Sequence, residues 1–195
     1  MAATDARGVA AAAMNTTARK AASTSRVIAD LVDELTICRG YYTTMVESLS
    51  GVLVDFRAGQ FDNGALEKAS KAGDQPMDCD KLLLQWNAHK NPFSKENGDN
   101  DKLARLAVAI TSLLARKHIV QPYDYCVGVL SADPAAANAT DARGVATAAV
   151  NITAHKAAST LQVITHLIDK LNTCHEIYGF MEEKLPGVRT DFGAG

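Results

Sequence analysis

The chain has 195 residues, a formal net charge of −2 and 47% hydrophobic residues, with alanine the commonest. This length and apolar content suffice for one large or two small folded domains, and alanine favours helices. The balanced charge argues against nucleic-acid binding, which needs clustered basic residues, and no apolar stretch reaches the roughly 18 residues of a membrane span.

The first 59 residues predict two helices, because small and apolar residues recur at intervals of three and four. Thr4 or Asp5 would cap the first helix, and Gly59 suits the end of the second. The first helix carries Ala6, Val9, Ala10, Ala13, Thr17, Ala21, Thr24, Val27, Leu31 and Leu35 on this face; the second carries Cys38, Tyr41, Met45, Leu49, Val52 and Phe56.

The middle of the chain predicts two more helices. One starts near residue 62, is interrupted by the segment 73–76, which ends in Pro76, and resumes from Cys79 to Trp86. Residues 89–98 are rich in turn formers and predict a loop. The last helix then follows over Leu103–Leu114, capped by Asp99 or Asn100.

The end of the chain repeats its beginning. Residues 118–139 predict a short helical turn around Cys126 and then a linker. Residues 140–195 align with residues 4–59 without a gap, and about 33 of 56 positions are identical. We therefore expect the same two helices again, with Pro186 interrupting the second.

These elements predict an all-α fold, an antiparallel up-and-down four-helix bundle over residues 1–117. Residues 118–195 would form an appended, partial second copy shaped as a helical hairpin. The two middle helices need a partner pair, and either 4–59 or 140–195 could supply it. We expect the first pair to do so, because its connection is short and its second helix lacks an internal proline. In the second pairing Cys79 would face Cys174 instead of Cys38.

Catalytic signatures are absent from the sequence. It contains no GxSxG, HExxH or P-loop pattern, and the five histidines are scattered. Cys174 and His175 are adjacent, so their side chains point to different faces of a helix. We therefore predict no enzyme activity, no catalytic or metal-binding residues and no cofactor.

Four cysteines, without CxxC pairs, are either free thiols or disulfide-bonded residues of a secreted protein. Asn15, Asn138 and Asn151 are candidate N-glycosylation sites by their Asn-x-Thr pattern. No signal peptide is visible at the N-terminus.

Several segments resemble the plant invertase and pectin methylesterase inhibitor family. Residues 123–133 are similar to the segment before the bundle in that family. The repeat, in which Tyr41 and Tyr42 follow Cys38, resembles its first two bundle helices. Asp78-Cys79 is similar to its third helix, and residues 90–97 to the loop before its last. The order indicates two incomplete tandem copies.

This resemblance implies a disulfide between Cys38 and Cys79, with Cys126 and Cys174 left without their family partners. It also implies a protein inhibitor that is extracellular or apoplastic and occludes the substrate cleft of a cell-wall carbohydrate-active enzyme. Pectin methylesterase is favoured over acid invertase, because residues 61–64 lack the Pro-Lys-Phe motif associated with invertase inhibitors.

The residues that we expect to contact a target lie on the polar face of the second and third helices: Glu47, Asp62, Asn63, Glu67 and Lys71. Two other functions stay open. The chain could be a non-inhibitory, degenerate interaction bundle, or a carrier of a small ligand in its alanine-rich core. An uncovered apolar face on the losing repeat would favour a homodimer formed by helix exchange.

Overall fold

The computed structural model describes residues 6–85, 91–115 and 141–193, which form four helices. We number them α1 (Ala6–Arg57), α2 (Asn63–Gln85), α3 (Ser94–Ala115) and α4 (Ala142–Gly193). No strand occurs in these ranges, so the prediction of an all-α helical bundle is confirmed. The capping of α1 by Thr4 or Asp5 and the turn around Cys126 lie outside the described residues.

Each repeat forms one continuous helix of 52 residues, so the prediction of two helices per repeat was wrong. The sequence between Leu35 and Cys38 contains no turn former, and an internal glycine such as Gly40 costs only about 1 kcal/mol. α4 likewise continues through Pro186. A helix of this length extends over about 78 Å, much more than one small bundle can cover.

α2 is also continuous, although we expected a break at residues 73–76. Pro76 removes one backbone hydrogen bond from the helix interior, at a cost of about 3 kcal/mol. Its side chain is fully buried, as are those of Ala72 and Cys79 on the same face. Packing on this face therefore compensates for the lost bond.

α3 begins at Ser94, five residues before the predicted cap. The backbone N–H of Phe93 donates to the side-chain oxygen of Asn91 at 2.8 Å, which closes the turn before the helix. Asn97 and Asn100, both read from sequence as turn or capping residues, are instead buried inside α3. Their side-chain amides hydrogen-bond to residues on neighbouring helices, so both asparagines can be buried within a helix.

The end of α1 has the glycine cap that the sequence predicts. Gly59 has φ of 73°, and its N–H donates to the Phe56 carbonyl. The N–H of Gln60 donates to the Asp55 carbonyl at 2.8 Å, which completes a Schellman motif. The chain then turns, and Phe61 stacks on Phe56 with ring centroids 4.7 Å apart.

The chain divides into two compact units. The first, which we call the two-helix unit, contains residues 6–36 of α1 and 165–193 of α4. The second, the four-helix unit, contains residues 37–57 of α1, all of α2 and α3, and 142–164 of α4. Each long helix therefore contributes one half to each unit.

The four-helix unit contains most of the buried apolar residues. Cys38 of α1 and Cys79 of α2 form a disulfide with a Cα–Cα distance of 4.9 Å, the pairing that the family resemblance implies. On the other side, Thr153 of α4 donates to the Leu103 carbonyl of α3 at 3.3 Å. Fully buried side chains come from all four segments and include Tyr42, Met45, Leu49 and Val52 of α1, Cys79 of α2, Ala107 of α3, and Val150 and Ile164 of α4.

This bundle matches neither of the pairings considered from the sequence. It takes the second half of the first repeat and the first half of the second repeat. The physical reason is the missing turn, because a repeat that forms one continuous helix does not fold back to supply two neighbouring helices. The division of the chain into two incomplete copies of one domain, residues 1–117 and 118–195, stays a prediction.

A buried polar network fixes how the four segments fit together. The hydroxyl of Tyr42 donates to the side-chain oxygen of Asn97 at 2.8 Å. The amide nitrogen of Asn97 lies 3.4 Å from a carboxylate oxygen of Asp80. Asn100 donates to the Thr160 hydroxyl at 2.9 Å. The network thus connects α1, α2, α3 and α4, and a shift of any helix would leave buried polar groups unpaired.

We predict that Tyr42 makes the protein sensitive to alkali. Burial raises the pKa of Tyr42 above its ordinary value. Above about pH 10 an unfolded tyrosine loses its proton while the buried one keeps it, so the free energy of unfolding should fall by about 1.4 kcal/mol per pH unit. Urea unfolding of Tyr42→Phe between pH 8 and 11 should lack this contribution. A wild-type slope equal to that of the variant would contradict the prediction.

Candidate functional site

The outer face of α2 carries most of the residues predicted to contact a target. Asn63, Glu67 and Lys71 are exposed and lie four residues apart, so they share one face of the helix. The buried residues of α2 lie on the other side: Ala65, Ala69, Ala72, Pro76, Cys79 and Leu83. At about 100° per residue, the centres of the two sets are roughly 160° apart. This face therefore points directly away from the bundle core.

Asp62 has a local structural role in this surface. Its carboxylate accepts hydrogen bonds from the backbone N–H groups of Gly64 and Ala65, at 2.9 and 3.2 Å. This is the bonding of an N-terminal cap, and a carboxylate there is stabilised by the helix dipole. Asp62 is exposed, but its charge is partly committed to the helix end.

An ion pair next to this face joins α2 to α1. The Lys68 ammonium lies 2.7 Å from a carboxylate oxygen of Asp55, whose side chain is only 13% exposed. The Lys68 stem runs over Gly51, where an added Cβ would lie 3.2 Å from the lysine Cδ. The sequence did not predict this pair, because nothing in the pattern shows which α1 residue faces Lys68.

The fifth predicted contact residue, Glu47, is exposed on α1. It lies two helical turns, about 12 Å, from Asp55 along that helix. The predicted contact residues therefore form an elongated polar strip instead of a compact cluster. We call Glu47, Asp62, Asn63, Glu67 and Lys71 the polar strip.

A cleft of about 530 Å³ opens at one end of the four-helix unit. Phe61, Leu113 and Leu114 supply apolar walls, and Asp141 and Arg143 supply charge. Arg143 lies over the Phe61 ring, 5.0 Å from its centroid, and Asp141 caps α4 through the N–H of Gly144 at 2.7 Å. Both charged residues thus have structural partners.

The remaining candidates, which are two cysteines and three possible glycosylation sites, do not belong to the polar strip. Cys174 is an exposed free thiol on α4, and Cys126 lies outside the described residues. Among the sequons, Asn15 is exposed and Asn151 is half-buried, while Asn138 lies outside the described part of the chain. Thr153, the hydroxyl residue of the Asn151 sequon, is buried against α3.

The described ranges contain neither a metal-ligand cluster nor a membrane-spanning helix. These ranges contain no group of three His, Cys, Asp or Glu side chains able to hold a metal ion. None of the helices in the same ranges is both long enough and apolar enough to cross a membrane.

Together, these features define a disulfide-bonded helical bundle with a polar outer face. The model of the plant invertase/pectin methylesterase inhibitor family matches residues 115–193, which include α4. Residues 115–193 thus match the family that the sequence resemblance suggested. No curated protein and no solved structure matches the chain.

The family match supports a function without catalysis, because members of this family are inhibitors and not enzymes. The matched segment begins close to the start of the predicted second copy. The first repeat is identical at about 33 of 56 positions to residues 140–195, which include most of the matched segment. That it represents a further copy of the same domain stays a prediction.

Proposed function

We propose that this protein inhibits a plant cell-wall carbohydrate-active enzyme, with pectin methylesterase favoured over acid invertase. The observation that carries the proposal is the family match over residues 115–193. The preference between the two enzymes rests on the sequence Phe61-Asp62-Asn63-Gly64, which lacks the Pro-Lys-Phe motif associated with invertase inhibitors. The proposed site of action is extracellular, in the apoplast, and of the two candidate glycosylation sites among the described residues Asn15 would be more accessible than Asn151.

The proposed mechanism is occlusion of the substrate cleft by the polar strip. A helical bundle held by a disulfide and a buried polar network loses little conformational entropy when it docks. The strip supplies three acidic side chains and one basic side chain on exposed surfaces, without need of a cofactor. Such a surface blocks access to a cleft without participating in the reaction.

Purified protein titrated into pectin methylesterase and acid invertase tests this proposal. We expect pectin methylesterase activity to fall in a saturable manner near one inhibitor per enzyme, and invertase activity to stay unchanged. Inhibition of invertase alone would reverse the preference. If folded protein inhibited neither enzyme, the second candidate function, a non-inhibitory interaction bundle, would replace the proposal. The division of both repeats between two units favours that alternative, because it departs from a simple bundle.

Exchange of the charges at Glu67 and Lys71 tests the contact surface. The double variant Glu67→Lys/Lys71→Glu keeps the net charge, and both positions are exposed, so unfolding free energy should change by no more than about 0.5 kcal/mol. We expect inhibition to weaken about tenfold or more, because like charges would then meet across the interface. Lys102→Glu, at an exposed position of α3 outside the polar strip, is the control and should leave inhibition unchanged. Unchanged inhibition by the double variant would remove this face from the proposal.

A homodimer formed by helix exchange remains a further proposal for the chain's partners. The two repeats are similar enough that the corresponding half of another molecule could enter the four-helix unit. Such exchange would leave each bundle with the same four kinds of segment.

A further inference from the structure

The two-helix unit contains the repeat equivalents of the two helical segments that α2 and α3 cover in the four-helix unit. Residues 6–28 are the repeat equivalents of 142–164, and residues 173–193 are the equivalents of 37–57. In the four-helix unit, 142–164 and 37–57 pack with α2 and α3. The α2–α3 sequence occurs only once in the chain.

Burial differs between the equivalent positions in the two units. Ala149 is 2% exposed and Thr153 is 1% exposed, whereas their equivalents Ala13 and Thr17 are exposed. Cys38 and Met45 are fully buried. Their equivalents are an exposed thiol, Cys174, and a half-buried Met181. The two-helix unit therefore presents a bundle-forming face to solvent.

The contacts of α2 and α3 show which chemistry would cover this face. Cys79 bonds to Cys38, whose equivalent is Cys174. Asn97 accepts from the hydroxyl of Tyr42, whose equivalent Tyr178 is half-buried. Asn100 donates to Thr160, the equivalent of Thr24. All three receiving groups are thus present in the two-helix unit, Thr24 on α1 and Cys174 and Tyr178 on α4.

A second copy of the chain does not solve the shortage of covering helices. Each chain has two sets of receiving helices and one α2–α3 hairpin, so any number of copies leaves one set uncovered per chain. Exchange of helices between copies changes which set of receiving helices is uncovered, but one set per chain still lacks an α2–α3 hairpin. An α2–α3-type hairpin that covers this face must then come from a different polypeptide.

We propose that the two-helix unit is a docking site for a helical hairpin of the α2–α3 type from another protein. The partner hairpin has a row of small residues, one cysteine placed to meet Cys174, and two asparagines placed to meet Tyr178 and Thr24. This interaction surface is independent of enzyme inhibition and lies outside the polar strip.

A peptide of residues 62–115 is the probe, added to the full-length chain with its Cys38–Cys79 disulfide already formed. Glutathione disulfide is the oxidant: it takes up the hydrogens of the two thiols, and two glutathione molecules are released as the protein–peptide bond forms. We expect a disulfide between Cys174 of the chain and Cys79 of the peptide, identified by peptide mapping. A peptide carrying Asn97→Ala and Asn100→Ala should bind about tenfold more weakly.

Matched variants separate docking from random thiol oxidation. Ala13→Glu places a charge on the receiving face and should lower the yield about tenfold. Ser23→Glu introduces the same charge at a position whose equivalent, Ser159, is exposed in the four-helix unit, and should leave the yield unchanged. By light scattering, the chain alone and its Ala13→Glu variant should have the same oligomeric state.

Three results would overturn the proposal. The first is absence of the Cys174 bond with wild-type peptide. The second is equal trapping by wild type and Ala13→Glu, which would mean that the thiol reacts without docking. The third is a dimer of the chain alone that Ala13→Glu dissociates, which would show that a second copy covers this face.

Discussion

Replacing Cys38 with alanine should lower the free energy of unfolding by about 4 kcal/mol. The disulfide to Cys79 closes a segment with a sequence separation of 41 residues, and the chain-entropy model gives about this value for such a loop. Both cysteines are fully buried, so the alanine variant also leaves the unpaired Cys79 thiol inside the core. Urea unfolding monitored by far-UV circular dichroism would measure the change.

Cys174→Ala is the matched control for this experiment. Cys174 is the repeat equivalent of Cys38, but its thiol is free and exposed, so its loss should change stability by no more than about 0.5 kcal/mol. A reducing agent should destabilise wild type and the Cys174 variant equally and leave the Cys38 variant unchanged. If removal of either cysteine had the same effect, the two repeats would be sharing the bond to Cys79.

The sequence predicted that the chain is helical, but not which helical segments pack together. Periodicity predicted the buried face of α1 correctly in its second half, where Cys38, Met45 and Leu49 are buried. In the first half this prediction was wrong, because Val9, Ala13 and Val27 on the predicted face are exposed. Gly59 marked the end of α1 because its positive φ suits glycine. Proline was a weaker guide. Pro76 lies inside a helix because its buried packing compensates for one lost backbone bond. Local propensity therefore predicted the type of element better than its boundaries.

The missing break in each repeat had the largest consequences for the fold. No residue between Leu35 and Cys38 disfavours a helix, so the sequence signal for two helices was only a change in the residues on one face. Partner choice depends on tertiary contacts that a single sequence does not display. The Asn97–Tyr42 and Asn100–Thr160 bonds are examples, because both asparagines lie where turn residues predicted a loop or a cap.

Differences between the repeats explain which half enters the four-helix unit. Leu53 is buried in α1, and its repeat equivalent is Arg189. A charged residue there would cost several kcal/mol if buried without a partner. Conversely, Val150 is fully buried in α4, and its equivalent Met14 is only half-buried. At these two positions, each repeat contributes to the four-helix unit the half with the smaller, uncharged side chain.

The same substitution at two equivalent positions should therefore have opposite outcomes. Ala149→Glu places a carboxylate where the side chain is 2% exposed, one turn from the Thr153 contact with α3. We expect it to lower the free energy of unfolding by about 3–5 kcal/mol, because the charge is buried without a partner. Ala13→Glu, on the exposed equivalent, should change it by about 0.5 kcal/mol or less.

Because alanine and glutamate are both good helix formers, the difference between these two variants isolates burial from helix propensity. Met45→Ala and Met181→Ala form a second pair of the same kind. The free energy of unfolding should fall by about 2–5 kcal/mol for the fully buried Met45 and by less for the half-buried Met181. If Ala13→Glu were the more damaging glutamate variant, the first repeat would supply the first bundle helix, as a simple hairpin requires. Equal losses would mean that both repeats compete for α2 and α3, because each mutation would then disable half of the population.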